Sequence, residues 1–162
     1  MIVVSDTSPI TNLAAIGQLN LLQQLYGQIV IPQAVYDEMV AVDPPVPGAI
    51  EVKTWDWIQT QGVTEPERAI EIRANENAID RGEAEAIVLA QELGADLLLM
   101  DERRGRSLAT RYGLNVVGLL GALLQAKQRG LIGAVKPLMD QLIEVAAFRV
   151  SGPLYAAVLE MA

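Results

Sequence analysis

The chain opens on an apolar run, Ile2 to Val4, that gives way to Ser5 and Asp6. An apolar run without alternation reads as a strand buried on both faces, as in parallel sheets. Thr7, Ser8 and Pro9 then have the composition of a helix start, a hydroxyl followed by proline in the first turn. Ile10, Leu13, Ala14 and Gly17 continue that pattern. A second short helix is expected over Leu19 to Tyr26, stopped by Gly27. Gln28 to Ile31 reads as a second strand. Pro32 opens a helix in which Val35, Met39 and Val40 share one side. Asp43 to Gly48, DPPVPG, is a break. A short strand is expected within Trp55 to Val63, and helical spacing covers Pro66 to Asn77.

The second half repeats the alternation. Asp80 to Leu93 is a strong helix, with Ala86, Ile87, Ala90 and Leu93 at helical spacing and Gly94 as its stop. Ala95 to Met100 is an almost wholly apolar strand that ends at Asp101. A basic helix is expected over Glu102 to Tyr112, stopped by Gly113, and a last short strand over Asn115 to Val117. Helices over Leu119 to Arg129, Val135 to Val145 and Pro153 to Met161 complete the pattern. Strands alternating with helices imply an α/β chain with a parallel sheet covered on both faces. No repeat and no linker divides it, and DPPVPG is too short to join independent domains. The length of 162 residues suits a single domain, residues 1–162.

Composition narrows the chemistry. With 51% apolar residues the chain can bury a sizeable core without covalent staples. It has no cysteine and no histidine. Disulfides, thiolate or imidazole metal sites, Ser-His-Asp triads and Cys-His pairs are therefore excluded. Catalysis is left to carboxylates, hydroxyls, amides, Lys, Arg or a bound metal. The N-terminus has no basic segment and turns polar after four residues, unlike a signal peptide. No apolar run approaches the ~18 residues of a membrane span. A cytoplasmic location without membrane association is the expectation.

Charge is unevenly spread around a net of −8. Residues 1–102 carry 17 acidic and 4 basic side chains, whereas residues 103–139 carry 7 basic and no acidic ones. Such asymmetry marks either a surface for a polyanion or a set of solvated helix faces.

Candidate chemistry follows from position. Ligands of open parallel sheets bind at the carboxyl ends of the strands. Asp6 and Asp101 stand at two such ends, although Asp6 can also cap the next helix unless Thr7 or Ser8 does so. Glu38, in the helix after Pro32, and Glu83, in the first turn of the strong helix, lie on elements that can face the same edge. Each has a plain reading: Glu83 complements the helix dipole, and Glu38 is a solvated neighbour of Asp37. Four carboxylates held together repel and raise one another's pKa, and a hard divalent cation relieves that repulsion through oxygen ligands.

These residues also carry a family resemblance. VVSDTSPITNLA (Val3 to Ala14), IVIPQAVYDEMV (Ile29 to Val40) and GEAEAIVLAQELGADLLLMDERRGRSLA (Gly82 to Ala109) resemble, in order and spacing, the motifs of PIN domains. GEAEAI, LLLMDERRGR and the tail FRVSGPLYAAVLEMA resemble a bacterial and archaeal branch related to VapC-type toxins. The resemblance covers nearly the whole chain. It implies a three-layer α/β/α fold and a ribonuclease that depends on Mg²⁺ or Mn²⁺. Carried over by position, Asp6, Glu38, Glu83 and Asp101 are the catalytic and metal-binding acids. Ser8 matches the family's small hydroxyl residue near the metal. The third acid is commonly Asp in PIN domains, so Glu85 competes with Glu83, and Glu102 stands beside Asp101. Arg103 and Arg104, directly after the fourth acid, are placed for substrate phosphate, or else they pair with the surplus acids. The implied partners are an RNA substrate, a small inhibiting antitoxin and a second copy in a homodimer. The rival expectation is a PIN scaffold that binds without cutting, since the acidic first 102 residues repel RNA.

Overall fold

The computed structural model describes residues 1–162. Five strands form one sheet, all parallel, in the order β3-β2-β1-β4-β5: β1 Val3–Ser5, β2 Ile29–Pro32, β3 Ile58–Gln61, β4 Leu97–Leu99 and β5 Val116–Val117. β1 is central. The chain lays β2 and β3 outward on one side of it, then returns to lay β4 and β5 on the other. The register of the inner pair sets Val3 against Leu97, Val4 against Leu98 and Ser5 against Leu99. The amide of Asp6 extends this pairing by donating to the Leu99 carbonyl, 2.9 Å.

Alternation along the strands divides the core into two layers, as side chains of period two must. Val3, Ile29, Ile31, Leu97 and Leu99 join one cluster of 25 buried residues. That cluster is covered by α1 (Thr7–Ala15), α2 (Asn20–Tyr26), α8 (Leu119–Gln128) and α9 (Lys136–Glu144). Val4, Leu98 and Met100 face the other way into a cluster of 14, covered by α5 (Pro66–Asn75), α6 (Arg81–Leu93) and α7 (Arg103–Arg111). The result is the three-layer α/β/α arrangement that the alternation implies. α3 (Gln33–Val40) leaves β2 and packs against α6, and α10 (Gly152–Met161) lies on α8, burying only Val158.

Two local features depart from the sequence expectation. A short helix, α4 (Ala49–Thr54), follows the DPPVPG break, where no element was expected. Its N-cap is Gly48 at φ 91°, a conformation open to glycine at little cost. Neither Thr7 nor Ser8 caps α1. Asp6 holds the N-cap position without a side-chain capping bond, and both hydroxyls serve other carboxylates. No helix is long and apolar enough to cross a membrane.

Leu98 lies fully buried in β4 between the cleft-bearing ends of the sheet. Leu98→Ala is expected to cost about 2–5 kcal/mol in urea unfolding, the range for deleting a buried Leu side chain. A loss below about 1 kcal/mol would contradict this packing.

Candidate active site

β1 and β4 are neighbours, yet the chain departs from them toward opposite edges of the sheet. That reversal opens a crevice at their carboxyl ends, where α/β sheets bind ligands. Asp6 follows β1 and Asp101 follows β4 across this crevice. The cleft has a volume of about 450 Å³, and its lining includes Asp6, Glu38, Asp80, Glu83, Asp101 and Glu102. Thr7, Ser8 and Thr11 add hydroxyls, and Phe148 and Arg149 close one side.

Helix α6 supplies the third acid, and here two sequence alternatives separate. Gly82 through Ala90 are all buried, so α6 offers no exposed stripe from which to choose. Glu83 faces the cleft. Glu85 turns away: one oxygen accepts from the Ala34 amide at the start of α3, 3.0 Å, and the other from Arg81 Nε, 3.1 Å. Glu85 thus ties α3 to α6 and has no place in the cleft lining.

Small residues let the acids approach. A Cβ on Gly82 would stand 2.9 Å from Glu38 Oε2 and 3.5 Å from oxygens of both Asp6 and Asp80. A Cβ on Gly105 would stand 2.7 Å from Glu83 Oε2. Both glycines stand in the first turn of their helices, where these close oxygens leave no room for a side chain. Hydroxyls and amides then fix the acids. Thr7 Oγ1 donates to Glu38 Oε2 at 2.8 Å, and Ser8 Oγ to Asp101 Oδ2 at 3.2 Å. The Leu119 amide, at the start of α8, donates to Asp101 Oδ1 at 2.8 Å. The Glu83 amide donates to Asp80 Oδ1 at 2.8 Å, which makes Asp80 the N-cap of α6.

Asp80 was missed in the sequence, although its signal is present. An Asp three residues before a Glu at a helix start is the pattern of a capping box. The glycines at 82 and 105 carried a signal too, as glycines inside helical patterns. Phe148 and Arg149 had no local signal, because only the fold brings them to the cleft. Arg103 and Arg104 do not line the cleft. Arg104 donates to the Asn77 carbonyl at 3.4 Å on the far side of α7. Arg106 is the member of the basic run that lies beside Asp101.

The electrostatics are those of crowded acids. Burial pushes the Asp6 carboxyl up to about 7; the Thr7 amide opposes this, and the charges of Asp80, Glu38 and Asp101 add to it. Burial pushes Glu83 up to about 9, helped by its hydrogen bond to Asp80 and by the charges of Asp80, Asp6 and Glu102. Burial also raises Asp101, against the Leu119 amide, the Ser8 hydroxyl and the Arg106 charge. Glu83 Oε2 is buried with no hydrogen-bond partner at all. An orphaned carboxylate oxygen of this kind is costly unless something meets it. No three acids close on one point as a ready-made cation cage. Mg²⁺ needs no such cage, because it keeps several waters and takes few carboxylates. The all-oxygen donor set, the orphaned oxygen and the raised carboxyls fit a hard divalent cation.

A parallel sheet of this order, with an acidic cleft at the β1–β4 reversal, defines an open doubly wound α/β fold with its site at the switch point of the sheet. A family described as a PIN domain matches residues 2–162, and the chain belongs to that family. PIN domains are generally nucleases, and PIN nucleases usually use divalent metal ions. No curated protein matches the chain in sequence.

Asp6 and Glu83 both titrate higher in the folded chain than in the unfolded one. Their contribution to stability is intact below the ordinary carboxyl range. It is lost as pH rises, through about 7 for Asp6 and about 9 for Glu83. The metal-free protein is therefore expected to resist urea less above pH 9 than near pH 5. Glu83→Gln is expected to remove most of that slope and to stabilise the protein at high pH by about 1–3 kcal/mol. A wild-type urea midpoint that stays level across this range would contradict the assignment. Glu85→Ala is expected to destabilise by about 1–3 kcal/mol at any pH, because the Ala34 amide is left buried and unpaired. Urea unfolding reads this directly, and an unchanged midpoint would deny Glu85 its tethering role.

Proposed function

We propose that this chain, acting over residues 1–162 as one PIN-like domain, is an endoribonuclease dependent on Mg²⁺ or Mn²⁺. The observation that carries the reading is the buried acidic cleft at the β1–β4 reversal, with Glu83 Oε2 left without a partner. Asp6, Glu38, Glu83 and Asp101 would hold the cation. When bound there, a divalent cation supplies an activated water and neutralises charge at the phosphate under attack.

The protein's own part is to hold the acids ready. Ser8 and the Leu119 amide each bond one oxygen of Asp101, which holds the carboxyl in a single orientation. Thr7 restrains Glu38, the exposed member of the four. Asp6 and Glu83 are kept dry, which strengthens their attraction for a cation once their protons leave. Asp80 holds the start of α6 and lends a further negative charge. Glu102, at the mouth of the cleft, adds charge without a bond to any of the four. The resemblance of GEAEAI, LLLMDERRGR and the C-terminal tail extends the reading to a cytoplasmic toxin. Such a toxin is inhibited by a small antitoxin and works as a homodimer.

Cleavage of a fluorescent single-stranded RNA with Mn²⁺ tests the reading, together with Mn²⁺ titration by calorimetry on the same samples. Asp6→Asn and Asp101→Asn are each expected to lower the rate by at least about 100-fold, typical for a group acting at the reacting centre. Both are expected to weaken Mn²⁺ binding. Wild-type protein that binds no Mn²⁺ would leave a non-catalytic binding module. Variants that still cut would remove the acids from the mechanism.

A further inference from the structure

The acidic cleft is not a blind pocket. On one side it passes Thr7, Thr11 and Glu38 into a hollow of about 450 Å³ beside Val46 and Pro47. On the other it passes Asp101, Phe148 and Arg149 into an apolar groove of about 400 Å³. The groove runs between edge strand β5 and helices α8 and α10, with Val117, Leu120, Leu124 and Leu154 among its lining. The carboxylates thus adjoin two further hollows and form with them an open trough, which suits a polymer lying across the cleft.

Positive charge is placed on one side only. Arg149 is the one cation lining the cleft, and Arg106 joins it in the groove. Neither takes part in a salt bridge, although acids surround them. Gly118 makes room for Arg106, since a Cβ there would stand 2.5 Å from Arg106 Nη1. Phe148 is the chain's one phenylalanine and the one apolar residue of the cleft lining; it is half-buried. Its backbone is held. The Phe148 amide donates to the Leu142 carbonyl at 2.9 Å, and Ala147 turns the chain through φ 55°. A non-glycine residue in that conformation is uncommon, and such turns gather at functional sites.

We infer that Phe148 and Arg149 are the strand-positioning element of this trough. Arg149 takes the phosphate next to the one over the acids, and Phe148 stacks on the base that enters the apolar groove. Arg106 faces the following phosphate. This rests on the nucleic-acid-cleaving reading of the same site. The occupant is single-stranded RNA, because stacking on Phe148 requires a base with a free face, which a duplex does not offer. Two features favour it: the groove's continuity with the cleft, and two unpaired arginines whose planar forks match phosphate. In a chain of net charge −8, an RNA strand needs such local cations to approach.

Anisotropy of a fluorescein-labelled single-stranded RNA 12-mer, titrated with full-length protein at several salt concentrations, tests this. Arg149→Ala is expected to weaken binding about tenfold and to reduce the salt slope by about 0.7, the loss of one phosphate contact. Phe148→Ala, with Phe148→Leu as the milder variant, is expected to weaken binding about tenfold and leave the salt slope unchanged. Arg149→Lys should keep the slope. Mn²⁺ affinity by calorimetry should be unchanged in the Phe148 variants and in Arg149→Lys, and should not weaken in Arg149→Ala, which removes a positive charge from the cleft lining. A duplex of the same sequence should bind at least tenfold more weakly than the single strand. If Arg149→Ala and both Phe148 variants bind RNA as wild type does, the inference is overturned, and the groove is left for a protein partner. RNA binding that depends on Arg149 and Phe148 without any cleavage would uphold the inference while the ribonuclease reading fails. Cleavage with an unchanged KM in these variants would do the reverse.

Discussion

The parallel pairing of β1 with β4 is the constraint on which the site depends. It places Ser5 against Leu99, so that Asp6 and the end of β4 emerge side by side. The chain then leaves the two strands toward opposite edges of the sheet, and nothing fills the crevice between the departing segments. Every other part of the site is fitted around that gap. α3 brings Glu38 from beyond β2, and α6 brings Glu83 from beneath the sheet. Glu85, two residues further along α6, anchors the start of α3 by the Ala34 amide. One helix therefore provides both a cleft acid and the tether that fixes the helix bearing another.

Packing acids this closely works against stability. Asp6 and Glu83 are among the few buried polar side chains of the protein, and the raised titration of both records the strain. The fold contains the repulsion by local means. Hydroxyls of Thr7 and Ser8 hold Glu38 and Asp101, first-turn amides of α8 and α6 hold Asp101 again and Asp80, and glycines remove the side chains that would otherwise intrude. None of these neutralises the charge. No lysine or arginine forms a salt bridge with Asp6, Glu38, Glu83 or Asp101. Selection for packing alone would place a basic residue or an apolar one there. A cluster left so short of counter-charge is one that the proposed cation would relieve.

The inner strands β1 and β4 were legible in the sequence because both of their faces are buried. Val3, Val4 and Leu97 to Leu99 form continuous apolar runs, and the acids at their ends are conspicuous against them. The choice between Glu83 and Glu85 was not legible, for a physical reason. α6 is enclosed by α5, α3 and the sheet, so nine consecutive residues are buried and its periodicity carries no direction. The arginines misled for a related reason. A charge run in a helix is spread around the axis, so Arg103, Arg104 and Arg106 point to different places, and only Arg106 adjoins an acid of the cleft. α4 was too short to register after a proline-rich break. Phe148 and Arg149 lie more than 40 residues from the nearest cleft acid in sequence, and no local pattern marks a contact of that range.

Net charge is a poor guide to what such a protein binds. A total of −8 suggests repulsion of nucleic acid, yet six of the 20 acids line one cleft, where a cation would offset part of their charge. Once the cleft is neutralised, the local field along the trough is set by what remains nearby. On the α10 side that is Arg106 and Arg149; on the opposite side the lining holds Glu38 and no basic residue. A polyanion threaded through the trough therefore meets unequal ends. The asymmetry would draw a bound strand toward the α10 side of the acids without any base-specific contact, since phosphate contacts position a strand without reading its sequence. Register would then be set by two arginines, and the acids would act on whichever bond that register presents.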